Sequence, residues 1–338
     1  MKALRIDAVG RFSYVEIERP RPRPGEVLLQ VRRVGYCGSD LSTFRGLNPL
    51  VTYPRIPGHE VAAVIAETTE GVPPGLKPGM AVTALPYTAC GKCPSCRSGR
   101  ANACQHNETM GVQRDGALAE FITVPWEKIL AAPLSLSELA LVEPLSVGFH
   151  AVSRARVTAQ DSVLVFGCGM IGLGAIAAAG LHRGARVIAV DIEAGKLALA
   201  RKAGAAHTIN SGTENLHERL VELTGDGPGV AIEAVGTPAT YQAAVSEVAF
   251  AGRVVYIGYS KAPVSYDTKN FVLKELDILG SRNATPADFS DVVQFLIGGR
   301  YPSSETVTRT VSWGEAGEAL KAWSESPGSI TKIQVEVT

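Results

Sequence analysis

Four cysteines, Cys90, Cys93, Cys96 and Cys104, fall in the pattern C-x2-C-x2-C-x7-C within a polar stretch rich in glycine and proline. Thiolates spaced this closely on one loop suit tetrahedral Zn²⁺, whose soft ligands can all come from a single short segment. A C-x-x-C pair also marks thiol exchange, but four cysteines in one lobe point to a metal. A closed four-thiolate site holds a loop together and does no chemistry.

A second group of donors is scattered. Cys37 sits in Gly35-Tyr36-Cys37-Gly38-Ser39-Asp40, and Gly58-His59-Glu60 follows about twenty residues later. Glu143 lies in Val142-Glu143-Pro144-Leu145-Ser146. Each is ordinary alone, and a single histidine before a strand usually serves structure. Together they supply one thiolate, one imidazole and one carboxylate, a set that fits a catalytic zinc with an open position. A metal of that kind acidifies an alcohol, so that hydride can leave its carbon for a nicotinamide ring.

The nicotinamide partner has its own signal. Gly167-Cys168-Gly169-Met170-Ile171-Gly172 fits G-x-G-x-x-G, and Asp191 lies nineteen residues beyond Gly172. The glycines alone are a weak pattern. Here a strand enters the loop, an alanine-rich helix leaves it, and Asp191 ends the next strand. That context suits a pyrophosphate at the helix N-terminus and a carboxylate accepting from the adenosine ribose, which favours NAD over NADP. Lys196 either touches the same ribose or is a solvated helix-face lysine. Val235 and Gly258, just past two later strands, complete the cofactor candidates, while Cys168 reads as a small buried residue.

These residues need two kinds of scaffold. The first part is β-rich, with β-branched runs at 27–31, 61–65 and 121–124 broken by Gly and Pro. Helical character begins near Ser137, read as a capped start. From Ser162 strands alternate with helices, which specifies a parallel, doubly wound sheet. The tail holds an amphipathic helix (Phe289, Val292, Val293, Leu296) and a last strand at 333–337 that can return to the first domain. The expected division is residues 1–146 with a zinc lobe at 90–104, residues 147–280, and a return over 281–338. The strand at 253–257 is a candidate interface or, more simply, a buried sheet strand.

Composition bounds the rest. With 33 basic and 33 acidic residues in 338, no net charge favours nucleic acid or an anionic membrane. No apolar run is long enough to span a bilayer, and no signal peptide is visible. The Arg-Pro alternation at 19–24 reads as an extended surface connector. Unpaired thiols beside zinc suit a reducing cytoplasm.

Taken in order, Cys37-Gly38-Ser39-Asp40, Gly58-His59-Glu60, the four-cysteine lobe, Glu143-Pro144 and the Gly167 loop resemble the zinc-dependent medium-chain alcohol and polyol dehydrogenases over the whole chain. The resemblance implies an α/β protein: a GroES-like β-rich catalytic domain plus a Rossmann domain, with the active site in the cleft between them. It implies that Cys37, His59 and Glu143 hold the catalytic zinc, with Glu60 as an alternate ligand, and that Ser39 binds the substrate hydroxyl and starts the proton relay. A carboxylate in place of a second cysteine is similar to the polyol and threonine dehydrogenase branch. One departure stands out: many relatives carry a histidine where this chain has Ser42, and a hydroxyl cannot store a proton near neutral pH.

The stretch Gly280-Ser281-Arg282-Asn283-Ala284-Thr285-Pro286 resembles sugar-acid dehydrogenases of the L-galactonate and L-gulonate 5-dehydrogenase type. Arg282 offers a planar fork for a carboxylate, and Asn283 can donate to and accept from hydroxyls; Arg282 equally suits a domain bridge or a nicotinamide contact. The expected substrate is a small hydroxylated molecule, a hexonate or hexitol. Neutral polyol and threonine-type dehydrogenases are the alternatives within enzymes, and a non-catalytic zinc and NAD sensor is the alternative outside them. Relatives are commonly dimers or tetramers, so a homo-oligomer is expected.

Overall fold

In the computed structural model, the β-branched runs of the first part form β1 (Lys2–Ala8), β2 (Arg11–Glu16), β3 (Glu26–Tyr36), β4 (Glu60–Thr68), β5 (Ala81–Ala84), β6 (Phe121–Pro125) and β7 (Ile129–Ala131). Residues 1–326, 328 and 330–337 are described. The alternating segment from Ser162 supplies β8 (Ser162–Phe166), β9 (Arg186–Asp191), β10 (His207–Asn210), β11 (Val230–Glu233), β12 (Arg253–Tyr256) and β13 (Asp277–Gly280). β14 (Arg309–Ser312) and β15 (Ile333–Glu336) close the chain.

Two units result. One comprises Met1–Glu143, Phe289–Gly298 and Val307–Thr338; the other comprises Pro144–Asp288 and Gly299–Thr306. In the first, a seven-stranded sheet runs β14-β15-β3-β4-β5-β7, and β6 also pairs with β3. Its core gathers Leu29, Val31, Val34, Ile65, Val82 and Val335. The last strand does return: Ile333 pairs with Tyr36 across the antiparallel β15–β3 ladder. On the other side of β3, Gly35 pairs with Glu60 of β4. These registers bring Cys37, His59 and Lys332 to one end of the same sheet, each one residue beyond a strand end.

The second unit holds a six-stranded parallel sheet in the order β10-β9-β8-β11-β12-β13. Val163, Leu164, Val165 and Phe166 are all buried, the continuous apolar run of a strand covered on both faces. The order reverses direction beside β8, so the loop after β8 sits at the topological switch point where such sheets bind ligands.

One local reading changes, and one left open between two alternatives is decided. The helix Leu136–Leu139 starts at Ser135, not Ser137: Ser135 Oγ accepts from Glu138 N, and the Glu138 carboxylate accepts from Ser135 N at 3.0 Å. That S-x-x-E capping box satisfies two otherwise orphan donors, and Ser137 instead donates to Gln334 Oε1 at 2.8 Å. β12 lies between β11 and β13, so it is an interior strand and not an interface; β13 forms the sheet edge. Among the described residues no helix is long and apolar enough to cross a membrane.

Candidate metal and dinucleotide sites

The four sulfurs of Cys90, Cys93, Cys96 and Cys104 lie within 4.8 Å of one another. Cys93 Sγ is 3.5 Å from Cys96 Sγ and 3.9 Å from Cys104 Sγ. Backbone N–H groups aim inward: Cys93 N donates to Cys90 Sγ at 3.4 Å, and both Cys90 N and His106 N donate to Cys104 Sγ at 3.3 Å. The Ser95 hydroxyl, with backbone N–H groups, lowers the Cys93 thiol to about 5, while removal from water pushes Cys96 up to about 11. Four adjacent sulfurs cannot all ionise without a cation among them, and the donor set fits a structural zinc.

The second group also closes. Donor atoms of Cys37, His59 and Glu60 lie within 4.8 Å of one another. Gly58, at φ +100°, makes the turn into His59 where a side chain would be strained. Asp40 joins the two segments: Oδ2 accepts from Cys37 N at 2.8 Å and Oδ1 from Gly58 N at 3.2 Å. Burial opposes a charged His59, but Cys37, Asp40 and Glu143 outweigh it and hold its pKa well above the usual histidine range. His59 Nδ1 and Ser39 Oγ are buried with no hydrogen-bond partner in the protein. A half-buried thiol, a buried imidazole nitrogen with no hydrogen-bond partner and a buried carboxylate, all within reach of one another, together fit a zinc ion.

The carboxylates are engaged differently. Glu143, in the first turn of the helix Val142–Arg154, lies outside the three-donor group and accepts from the Tyr87 hydroxyl. Burial raises its pKa. Both Glu60 oxygens accept from Lys332 Nζ, at 2.5 and 2.6 Å. Asp40, Tyr87 and Lys332 are the residues that sequence reasoning missed. Asp40 sits inside a quoted motif and was within reach; nothing local marks Tyr87 or Lys332. Ser42 is half-buried in the helix Gly38–Phe44.

In the second unit, Gly167 at φ +88° turns the chain after β8, and a Cβ on Gly172 would lie 1.8 Å from Gly167 O. Gly169 is the N-cap of the helix Met170–Ala177, and a Cβ there would meet nothing within 4 Å. This open N-terminus, with Met170 and Ile171 in its first turn, is the cradle a pyrophosphate fills. Asp191 Oδ2 accepts from Cys168 N at 2.7 Å, while Oδ1 accepts from Ile192 N and Glu193 N at 2.8 and 3.0 Å. Oδ2, with a single N–H donor, keeps a second lone pair for a ribose hydroxyl, whereas both of those on Oδ1 are taken. Lys196 is half-buried on the next helix, and Cys168 is buried, its thiol pushed well up by desolvation. Glu233 ties the later loops together. Its Oε1 accepts from Val235 N at 2.9 Å and Gly236 N at 2.7 Å, and its backbone carbonyl accepts from Gly258 N at 3.2 Å.

Arg282 and Asn283 follow β13 in the same unit. Arg282 is exposed; Asn283 is half-buried at φ +53°. The segment after them is anchored by Asp288, which accepts from Thr285 N at 2.8 Å and faces His150 Nδ1 at 2.9 Å.

Comparison with known proteins agrees with both halves of the chain. Residues 23–134 match the family described as alcohol dehydrogenase GroES-like domain, and residues 171–298 match zinc-binding dehydrogenase. The chain is 32% identical to an L-galactonate-5-dehydrogenase of Escherichia coli K12, over 90% of this chain and 89% of that one. It is 32% identical to a sorbitol dehydrogenase of Bacillus subtilis, over 99% and 97%. The alcohol dehydrogenase RspB from Escherichia coli CFT073, solved with the cofactor NADH, superposes with a TM-score of 0.92 at 30% identity, covering 100% of this chain and 99% of that one.

Proposed function

The chain belongs to the zinc-dependent medium-chain alcohol dehydrogenases, and we propose that within this family it oxidises a secondary hydroxyl of a sugar acid, a hexonate such as L-galactonate or L-gulonate, to a ketone. It is an NAD-linked zinc enzyme. The observation that carries the chemistry is the pair of buried, unpartnered atoms His59 Nδ1 and Ser39 Oγ beside Cys37 and Glu60. Cys37, His59 and Glu143 are assigned as holders of the catalytic zinc, with Glu60 in reserve. Zinc there supplies a Lewis acid that makes a hydroxyl proton labile near neutral pH.

The chain's own residues do the rest. Ser39 accepts the substrate hydroxyl's proton through a hydrogen bond and hands it to water, since Ser42 offers no basic nitrogen to store it. The Gly167–Gly172 turn and Asp191 hold the dinucleotide, and the Asp191 carboxylate repels a 2′-phosphate, favouring NAD. Arg282 is assigned to the substrate carboxylate and Asn283 to its hydroxyls. The likeness to an L-galactonate dehydrogenase supports the acid; the equal likeness to a sorbitol dehydrogenase supports a neutral hexitol as the second reading.

A homo-oligomer is part of the same proposal. The edge strand β13 and the neighbouring helix Lys269–Leu273 expose Ile278, Val272 and Leu273, and an unpaired apolar edge is a template for a second copy. Six free cysteines suit a reducing, cytoplasmic setting.

The deciding assay follows NADH formation by zinc-loaded protein with L-galactonate and L-gulonate against neutral hexitols. Aldonate preference that collapses in Arg282→Ala supports the proposal. Turnover of hexitols alone, indifferent to Arg282→Ala, replaces it with the polyol reading.

A further inference from the structure

Among the described residues Lys332 is the only buried lysine, 2% exposed, and it faces a carboxylate that is 0% exposed. Its three N–H donors are fully used: Tyr36 O at 2.9 Å, and Glu60 Oε1 and Oε2 at 2.5 and 2.6 Å. The Glu60 carboxylate is also seated sterically, because a Cβ on Gly35 would lie 1.9 Å from Glu60 Oε2. Only a glycine leaves that seat open. A buried ion pair is seldom more stabilising than apolar side chains of the same volume. Its place beside Cys37 and His59 calls for a functional account.

We propose that Lys332 is a positioning residue that latches Glu60 in this seat, so that Glu143 completes the resting zinc site and Glu60 stays in reserve. The inference rests on the ligand assignment above. A cation at hydrogen-bonding distance from both Glu60 oxygens repels a second cation that would bind them. Removing the ammonium leaves an uncompensated buried carboxylate whose nearest relief is the metal. The position kept open for substrate then closes.

The test compares zinc-loaded wild type, Lys332→Met and the double variant Lys332→Met/Glu60→Gln. It reads zinc per chain and the rate of zinc transfer to a chromophoric chelator. Glu60 belongs to the Cys37 group and not to the four-cysteine lobe, so any Glu60-dependent change reports the former site. Expected is release about tenfold slower in Lys332→Met, restored to the wild-type rate in the double variant. Equal rates in the single and double variants, or faster Glu60-dependent release in the single one, would overturn the latch.

Should Lys332→Met fail to fold, Glu60→Gln and Glu143→Gln in the otherwise wild-type chain decide the matter. The latch requires the first to leave release unchanged and the second to speed it; the reverse overturns it. A wild-type chain carrying one zinc would overturn the ligand assignment and the latch with it. Two zincs without Glu60 dependence would overturn the latch alone.

Discussion

The Tyr87 hydroxyl donates to Glu143 Oε1, joining the segment just before the cysteine lobe to the first turn of the helix Val142–Arg154. Tyr87 is half-buried, and desolvation of its hydroxyl together with the neighbouring carboxylate keeps it protonated far above neutral pH. It is therefore a permanent donor that orients Glu143. On the proposed assignment of Glu143 to the zinc, a partner of this kind contributes about 10–100-fold to affinity or activity. Tyr87→Phe keeps the ring against Phe289 and removes only the donor. Expected is a fall of about tenfold in kcat/KM with the fold intact by circular dichroism; unchanged kinetics would make the contact incidental.

Asp40 should prove as important to the site as the donors themselves. It accepts from both Cys37 N and Gly58 N, and an asparagine has one oxygen to offer two N–H groups. Asp40→Asn is expected to cost about 1–3 kcal/mol through the donor left unsatisfied. Urea unfolding and zinc content measured together check this, since a loss of stability with two zincs retained would limit Asp40 to the fold.

Removing a sulfur from the lobe should act on stability and not on chemistry. Cys104 is fully buried and accepts two N–H donors. Cys104→Ser is expected to lose one zinc per chain and lower the thermal midpoint, while residual folded protein keeps its KM for substrate. A raised KM at full stability would give the lobe a role in the active site.

Asp191→Ser should weaken discrimination between the dinucleotides. On the proposed cofactor site, the substitution removes a negative charge that would face a 2′-phosphate and an acceptor for ribose hydroxyls. The expected outcome is a higher KM for NAD and a lower one for NADP, read from initial rates with each. Because Asp191 also accepts from Cys168 N, a loss for both cofactors alike would show that its main role is to shape the glycine loop.

Asp288 sets an acid limit. Burial works against its charge, but His150 and Thr285 outweigh that and lower its pKa in the folded chain. The unfolded chain, with a carboxyl near about 3.9, therefore takes up this proton first as pH falls. The stabilisation is complete above that value and is lost as pH drops through the folded pKa. Asp288→Asn should be less stable than wild type at neutral pH and should flatten the decline below about pH 4. Parallel stability curves for the two proteins in acid would exclude Asp288 as the source.

Much of the site was legible because its chemistry is written in short spacings. C-x2-C-x2-C-x7-C confines four sulfurs to one loop whatever surrounds them. G-x-G-x-x-G after an apolar strand makes a turn that needs glycine at Gly167 and Gly172, and alternating strands and helices leave a parallel sheet as the way to bury both faces. Cys37 and His59 were readable as metal donors from their residue types, but that they meet is decided by the antiparallel pairing of β3 and β4. Even here local reading slipped by two residues at Ser135, where a capping box decided the helix start.

What the tertiary structure alone decided are contacts between residues far apart in sequence. Lys332 and Glu60 are 272 positions apart and meet because β15 adds to β3 in one register; a shift by one residue would turn alternate side chains to the other face. Tyr87 reaches Glu143 across 56 positions for the same kind of reason. A lysine before a strand and a tyrosine before a cysteine loop carry no local mark of function. Their roles follow from sheet pairing and from burial, which makes an unpartnered charge too costly to leave unpaired.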